Sequence, residues 1–324
     1  MGSECSSDCL VETEFFSRGC DRLWGNKLDL DEKFLKFLDV GSTGALTAYN
    51  QEIVSSVPNV PDFTRQLITL LRGLTTVPHA FGIGALFLSM FLDLALNSVK
   101  RGPNFQSVLQ KVFAYEKVSE IHVLMELYSM GWKVNVRDTQ RLVAATAYFE
   151  MRLHSELLSA HNFMRQDYQL DTRALKLWMH GAILHVHMNI YLAALQGLTG
   201  PGATGPISSL IDEYIRDSEV ILDMYQPFLR HQISLALLRG CKSVSNVTSC
   251  SEFIYGIWSR EHPHFINGAH GSPTFRHCSS SILDTFVRKM RANCPAPRTF
   301  INYLNKVQSN LNTLVQDKGT FQIQ

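Results

Sequence analysis

Histidine and cysteine are the side chains in this sequence best suited to chemistry, and both are clustered. Most of the twelve histidines fall into two groups. His154 and His161 precede the acidic turn Asp167–Asp171, and His180 and His187 follow it. The members of each pair are two helical turns apart in sequence, so each pair shares a helix face. A turn centred on 170–171 would bring His161 level with His180 and His154 level with His187, the layout of a metal site inside a bundle. The apolar stripes argue against that chemistry. His154 and His161 follow their stripe by one residue, while His180 and His187 precede theirs by one. The two pairs then fall on opposite flanks of an antiparallel seam. No Glu-x-x-His repeat accompanies them. The expectation is four histidines at the rim of a bundle, with no metal and no cofactor.

The second group is Cys241, Cys250, His262, His264, His270, His277, Cys278 and Cys294. Zinc takes four Cys or His ligands, usually as two close pairs. Neither His262-Pro-His264 nor His277-Cys278 has the two-to-four-residue gap that shapes a ligand pair. Free thiols and loop histidines are expected here. Two disulfides among the last four cysteines, beside the glycosylation pattern Asn246-Val247-Thr248, would require export. Residues 1–9 have neither the basic start nor the apolar run of a signal peptide, so the reducing cytosol is expected. The other cysteines, Cys5, Cys9 and Cys20, are near the start. None lies between Cys20 and Cys241, so the long middle section must stand on packing.

Residues 1–28 carry a different chemistry. Met1-Gly2-Ser3-Glu4-Cys5-Ser6 fits the pattern for acylation of Gly2 once Met1 is removed, and Cys5 and Cys9 lie within reach of a second acyl chain. One myristoyl chain binds a membrane only marginally, and two make the attachment stable. Acidic residues outnumber basic ones over the first forty positions, so no polybasic patch assists.

Several function classes are disfavoured. A formal net charge of +1 gives no general attraction to nucleic acid, and Arg288-Lys289-Met290-Arg291 with Arg298 reads as a solvated helix face. There is no Gly-x4-Gly-Lys-Ser/Thr loop, no His-Glu-x-x-His and no Gly-x-Ser-x-Gly. Gly82-Ile-Gly84 lies within an apolar segment, without a third glycine or a preceding strand, and is not a dinucleotide site.

The elements that must position these residues read as helices. With 324 residues, 45% hydrophobic and 18% charged, the chain can bury a full core. Residues 29–240 predict a bundle. A short helix starts near Asp29 or Asp31 and is broken at Gly41 and Gly44. Another runs from Asp62 to Leu74 behind Pro61. Pro78 opens the apolar helix Ala80–Leu96, which Asn97, Lys100 and Arg101 close. Four long helices follow near 104–133, 137–167, 171–197 and 206–240, the last preceded by a glycine-rich loop at 197–206. On the third, Ala174, Leu177, Gly181, Leu184, Met188, Tyr191 and Leu195 predict one buried stripe. Residues 241–324 read as an irregular Cys- and His-containing segment with short helices near 281–292 and 298–316, and no strands are expected.

Residues 80–96 are shorter than the roughly 20 apolar residues a membrane span needs, and Asp93 interrupts them. A bundle helix is expected, with the Asp93 carboxylate paired or at the bundle edge. The fold expected is all-α. The function expected is that of a non-enzymatic helical interaction protein, with protein partners at a helical surface and no nucleic acid. It would be cytoplasmic, and anchored at the cytosolic face of a membrane where Gly2 is acylated. The alternatives are a membrane-perturbing or pore-forming protein using residues 80–96, and an enzyme without a recognisable motif. Oligomeric state is left open.

Overall fold

The computed structural model describes residues 30–100, 120–166, 172–244, 247–259, 265–271, 284, 287–288 and 295–323. Gly2, Cys5, Cys9, Cys20, Asn246, His262, His264, His277, Cys278 and Cys294 lie outside these residues. The fold is all-α in character, a bundle of long helices. Two compact units can be distinguished. One comprises residues 30–162, 176–217 and 301–324, and the other includes the described parts of 163–175 and 218–300.

In the first unit, α1 (Glu32–Leu38) starts where the Asp31 carboxylate accepts from the Phe34 N–H. Gly41, in the left-handed conformation, caps α2 (Ser42–Ser56). Asn59 caps α3 (Val60–Leu70), with Pro61 in its first turn. All three pack on α4 (Ile83–Lys100), which is buried from Ile83 to Leu92. Pro78 does not open this helix. His79 (φ 56°) and Gly82 (φ 49°) hold the chain in left-handed turns, so helix begins at Ile83, three residues later than expected. The turn is pinned by the Thr43 hydroxyl donating to the Ala80 carbonyl at 2.8 Å and the Gly82 N–H donating to Ser42 Oγ at 2.8 Å. Gly84 is required here, because a Cβ would stand 2.0 Å from the His79 carbonyl oxygen. The two-residue strands β1 (Thr76–Val77) and β5 (Phe321–Gln322) pair antiparallel and fasten the C-terminal segment beside this turn.

The long helices are α5 (Glu120–Asn135), α6 (Thr139–Gln166), α7 (Thr172–Leu195) and α8 (Pro201–Gln232), followed by α9 (Pro295–Ser309) and α10 (Leu311–Gln316). Helix α8 starts inside the expected glycine-rich loop. Pro201 is preset for a first helical turn, and Ala203 and Ile207 are buried, so packing overrides the two glycines. Helix α7 is not a one-stripe helix. Every residue from Trp178 to Met188 is buried. No Asp, Glu, Lys or Arg occurs from Leu177 to Gly197, which is the composition of a helix enclosed on all sides.

In the second unit the helix expected to reach 240 stops at Gln232. Residues beyond it form a three-stranded antiparallel sheet in the order β2 (Ile233–Val244), β3 (Val247–Ser259), β4 (Phe265–Gly271). Val247, Thr248, Phe253, Ile254, Tyr255, Ile257 and Trp258 favour a strand at β3. Its pairing, from Val244↔Val247 to Ile233↔Ser259, draws the leucines of β2 out of helix. Cys241 falls at a bulge opposite the stretch that includes Cys250, and His270 stands in β4 opposite Ile254 rather than in a loop. Arg230 Nε donates to Asp284 Oδ1 at 2.6 Å. Of the short helix expected at 281–292, Asp284, Val287 and Arg288 are described, and all three are helical.

Candidate functional site

Enclosure of α7 corrects the reading of its histidines as rim residues. His180 and His187 are buried, as is His161 on α6. The register also differs from the expected one: His154 stacks on His185, with ring centroids 5.1 Å apart, and His161 lies over Trp178. The separation of the two pairs holds. His180 turns toward α1, where its Nε2 accepts from the Asp31 N–H at 3.2 Å and its Nδ1–H donates to the Lys176 carbonyl. His187 turns toward α9 and shares a hydrogen bond of 2.8 Å with the Tyr303 hydroxyl. Burial pushes His180 down to about 4 and His187 down to about 3, so both are neutral at pH 7.

The polar centre of the bundle is a group that spacing alone did not single out: Glu150 on α6, His185 and Asn189 on α7, and Tyr214 on α8. His185 Nε2 lies 2.6 Å from Glu150 Oε1, and His185 Nδ1 lies 2.7 Å from the Tyr214 hydroxyl. An ionised carboxylate only accepts, so Nε2 carries the proton and Nδ1 accepts from Tyr214. Asn189 donates through Nδ2 to Glu150 Oε1 at 3.1 Å and to the His185 carbonyl at 3.0 Å. The hydrogen bond from His185 is the main cause that holds the Glu150 carboxyl below its usual range. Burial is the main cause that lowers His185, outweighing the carboxylate beside it, and the main cause that raises Tyr214. The contact is therefore a neutral imidazole bridging a carboxylate and a phenol.

This connectivity, hydroxyl to imidazole to carboxylate, is the one that activates a nucleophile in hydrolases. Here the hydroxyl belongs to a buried tyrosine packed edge-on against Trp178, with ring centroids 5.8 Å apart. Both imidazole nitrogens are engaged within the protein. Among the described residues, no three His, Cys, Asp or Glu side chains are placed to hold a metal. The arrangement is a clamp joining α6, α7 and α8. Glu150 and His154 share a helix face four residues apart, as do His185 and Asn189, and the uncharged run of α7 was the signal that would have turned them inward.

No protein-family model, curated protein or solved structure matches this chain.

Asp93 is buried and paired. Its carboxylate accepts from both the Lys33 ammonium and the Tyr49 hydroxyl, and Lys33 Nζ lies 2.8 Å from the Tyr49 oxygen. These partners come from α1 and α2, and the carboxylate is paired rather than free at the bundle edge. Among the described residues, no helix is long and apolar enough to cross a membrane.

The outer surface of the first unit is unusual in composition. On α6, Tyr148, Met151 and Leu158 are exposed, Met151 by 61%. With exposed Ala144 and Ser155 they step by four and three, making one face directed away from Leu142, Thr146, Leu153 and Leu157 of the core. Arg141 and Arg152 border it. On α5, Val123, Leu127, Met130 and Val134 are exposed at the same alternation of four and three. Single exposed apolar residues are ordinary, whereas each of these rows places several on one helix face.

Proposed function

We propose that this chain is a non-enzymatic helical interaction protein that binds partner proteins through the outward face of α6. The observation that carries the reading is the row Tyr148–Met151–Leu158, exposed on a helix whose opposite face is locked by Glu150 and Leu153. Tyrosine and methionine together offer large, adaptable contact area. The fitting partner is an amphipathic helix laying an apolar side along this row, with acidic residues to meet Arg141 and Arg152. Acyl chains on Gly2 and on Cys5 or Cys9 would hold the protein at the cytosolic face of a membrane.

The test is expression of the full chain beside Gly2→Ala and Met151→Glu/Leu158→Glu. Membrane sedimentation lost only in Gly2→Ala, and partner capture lost only in the α6 variant, are the expected outcomes. Unchanged capture by the α6 variant would refute the surface. The pore-forming reading is separated by flotation with liposomes. Non-acylated Asp93→Leu, whose apolar run is longer, stays in solution if α4 belongs to the bundle; flotation of the folded variant would favour insertion.

A further inference from the structure

The exposed row on α5 differs from that on α6 in its order of charges. Along the helix it reads Glu120, Val123, Leu127, Met130, Val134 and then Arg137 in the turn just beyond. The apolar members alternate four and three residues apart, which is the spacing of a coiled-coil seam. They lie opposite Ile121, Met125, Tyr128 and Trp132, the residues α5 buries in its own core, so the seam faces outward. One end of the seam is acidic and the other basic. Lys133, also in the basic half, lies with its Nζ 5.6 Å from the centre of the Phe91 ring of its own bundle, so the polarity of the seam rests on Glu120 and Arg137.

Such an order is complementary to itself only when reversed. We propose that α5 is an isologous dimerisation helix whose occupant is the α5 of a second copy, packed antiparallel about a twofold axis near Leu127–Met130. In that arrangement Leu127 meets the partner's Met130, Val123 meets the partner's Val134, and Glu120 at each end meets the partner's Arg137. A parallel pairing would place Glu120 on Glu120 and Arg137 on Arg137, and is disfavoured. Arg137 Nη2 donates to the Arg72 carbonyl within its own chain at 2.9 Å, which positions the guanidinium and leaves other N–H groups to meet a carboxylate. Four apolar residues per copy fall short of the roughly 800 Å² per partner of a standard stable interface. The dimer is therefore concentration-dependent in solution and reinforced where copies share a membrane surface. This surface is separate from the α6 row, and either can fail without the other.

The test is sedimentation equilibrium of the non-acylated full chain up to submillimolar concentration, with circular dichroism to confirm the fold of each variant. The wild-type chain should show a monomer–dimer equilibrium that Leu127→Glu abolishes. Glu120→Arg and Arg137→Glu should each weaken it by about tenfold, since two exposed pairs turn from attraction to repulsion. The double reversal should restore wild-type association, because the two charges exchange roles. A wild-type chain that stays monomeric overturns the proposal. So does a dimer indifferent to Leu127→Glu, or a double reversal no stronger than either single one.

Discussion

Helix α6 has two faces built from similar residue types under opposite constraints. The inner face buries Leu153 and places Glu150 against α7, where it is committed to His185 and Asn189. The outer face, one residue along at Met151, is exposed. Burial favours partners for inner polar atoms, as at Glu150, because an unmade hydrogen bond there costs the desolvation of the group, although His154 Nδ1 and His161 Nε2 on the same helix make none. Outside, water satisfies polar groups, and only association gives an apolar row something to bind. Apolar character alone does not distinguish core from exposed surface on this helix. The distinguishing feature is whether neighbouring polar groups are already used.

The largest expected effect on the inner face comes from acid. His180 and His187 have folded values near 4 and 3, below the ordinary 6.5, so the folded state binds fewer protons than the unfolded state below pH 6.5. Their contribution is complete above pH 6.5 and declines as pH falls toward their folded values. His185 and Glu150, both lowered, act in the same direction. At up to about 1.4 kcal/mol per pH unit for each histidine once pH is well below 6.5, His180 and His187 together remove roughly 3 kcal/mol between pH 6.5 and pH 5. Thermal melts should show the decline, and His180→Gln/His187→Gln should flatten it. An equal slope in that variant would mean these rings are not buried neutral.

Tyr214→Phe is the next largest. It leaves His185 Nδ1 buried without its donor and should destabilise by about 1–3 kcal/mol in chemical denaturation. A neutral result would show that water reaches the clamp and that the inner face is looser than its geometry. The smallest effect is expected outside. Met151→Glu should change stability by no more than about 0.5 kcal/mol while removing partner binding. A loss comparable to that of Tyr214→Phe would mean the outer row is covered by the protein itself.

What the sequence by itself determined is the helical class and most helix ends. Asp31 as a cap, Gly41 as a break, Pro61 in a first turn and the apolar run before Asp93 all act through local backbone preferences, which the chain carries wherever it goes. The offset of the histidines from their apolar stripes likewise set His154/His161 and His180/His187 on different flanks, since helical periodicity is local, but it placed them at the rim, and His161, His180 and His187 are buried. Tertiary structure alone decided the rest. His185 joined Glu150 and Tyr214, residues 35 and 29 positions away, because α7 is enclosed and its polar side chains must satisfy one another across helices. Asp93 found Lys33 and Tyr49 rather than neighbours on its own helix. Residues 233–240 became strand, although their leucines suit a helix, because β3 pairs with them. Each of these outcomes depends on groups distant in sequence arriving at one place, and local preference contains no information about which groups those will be.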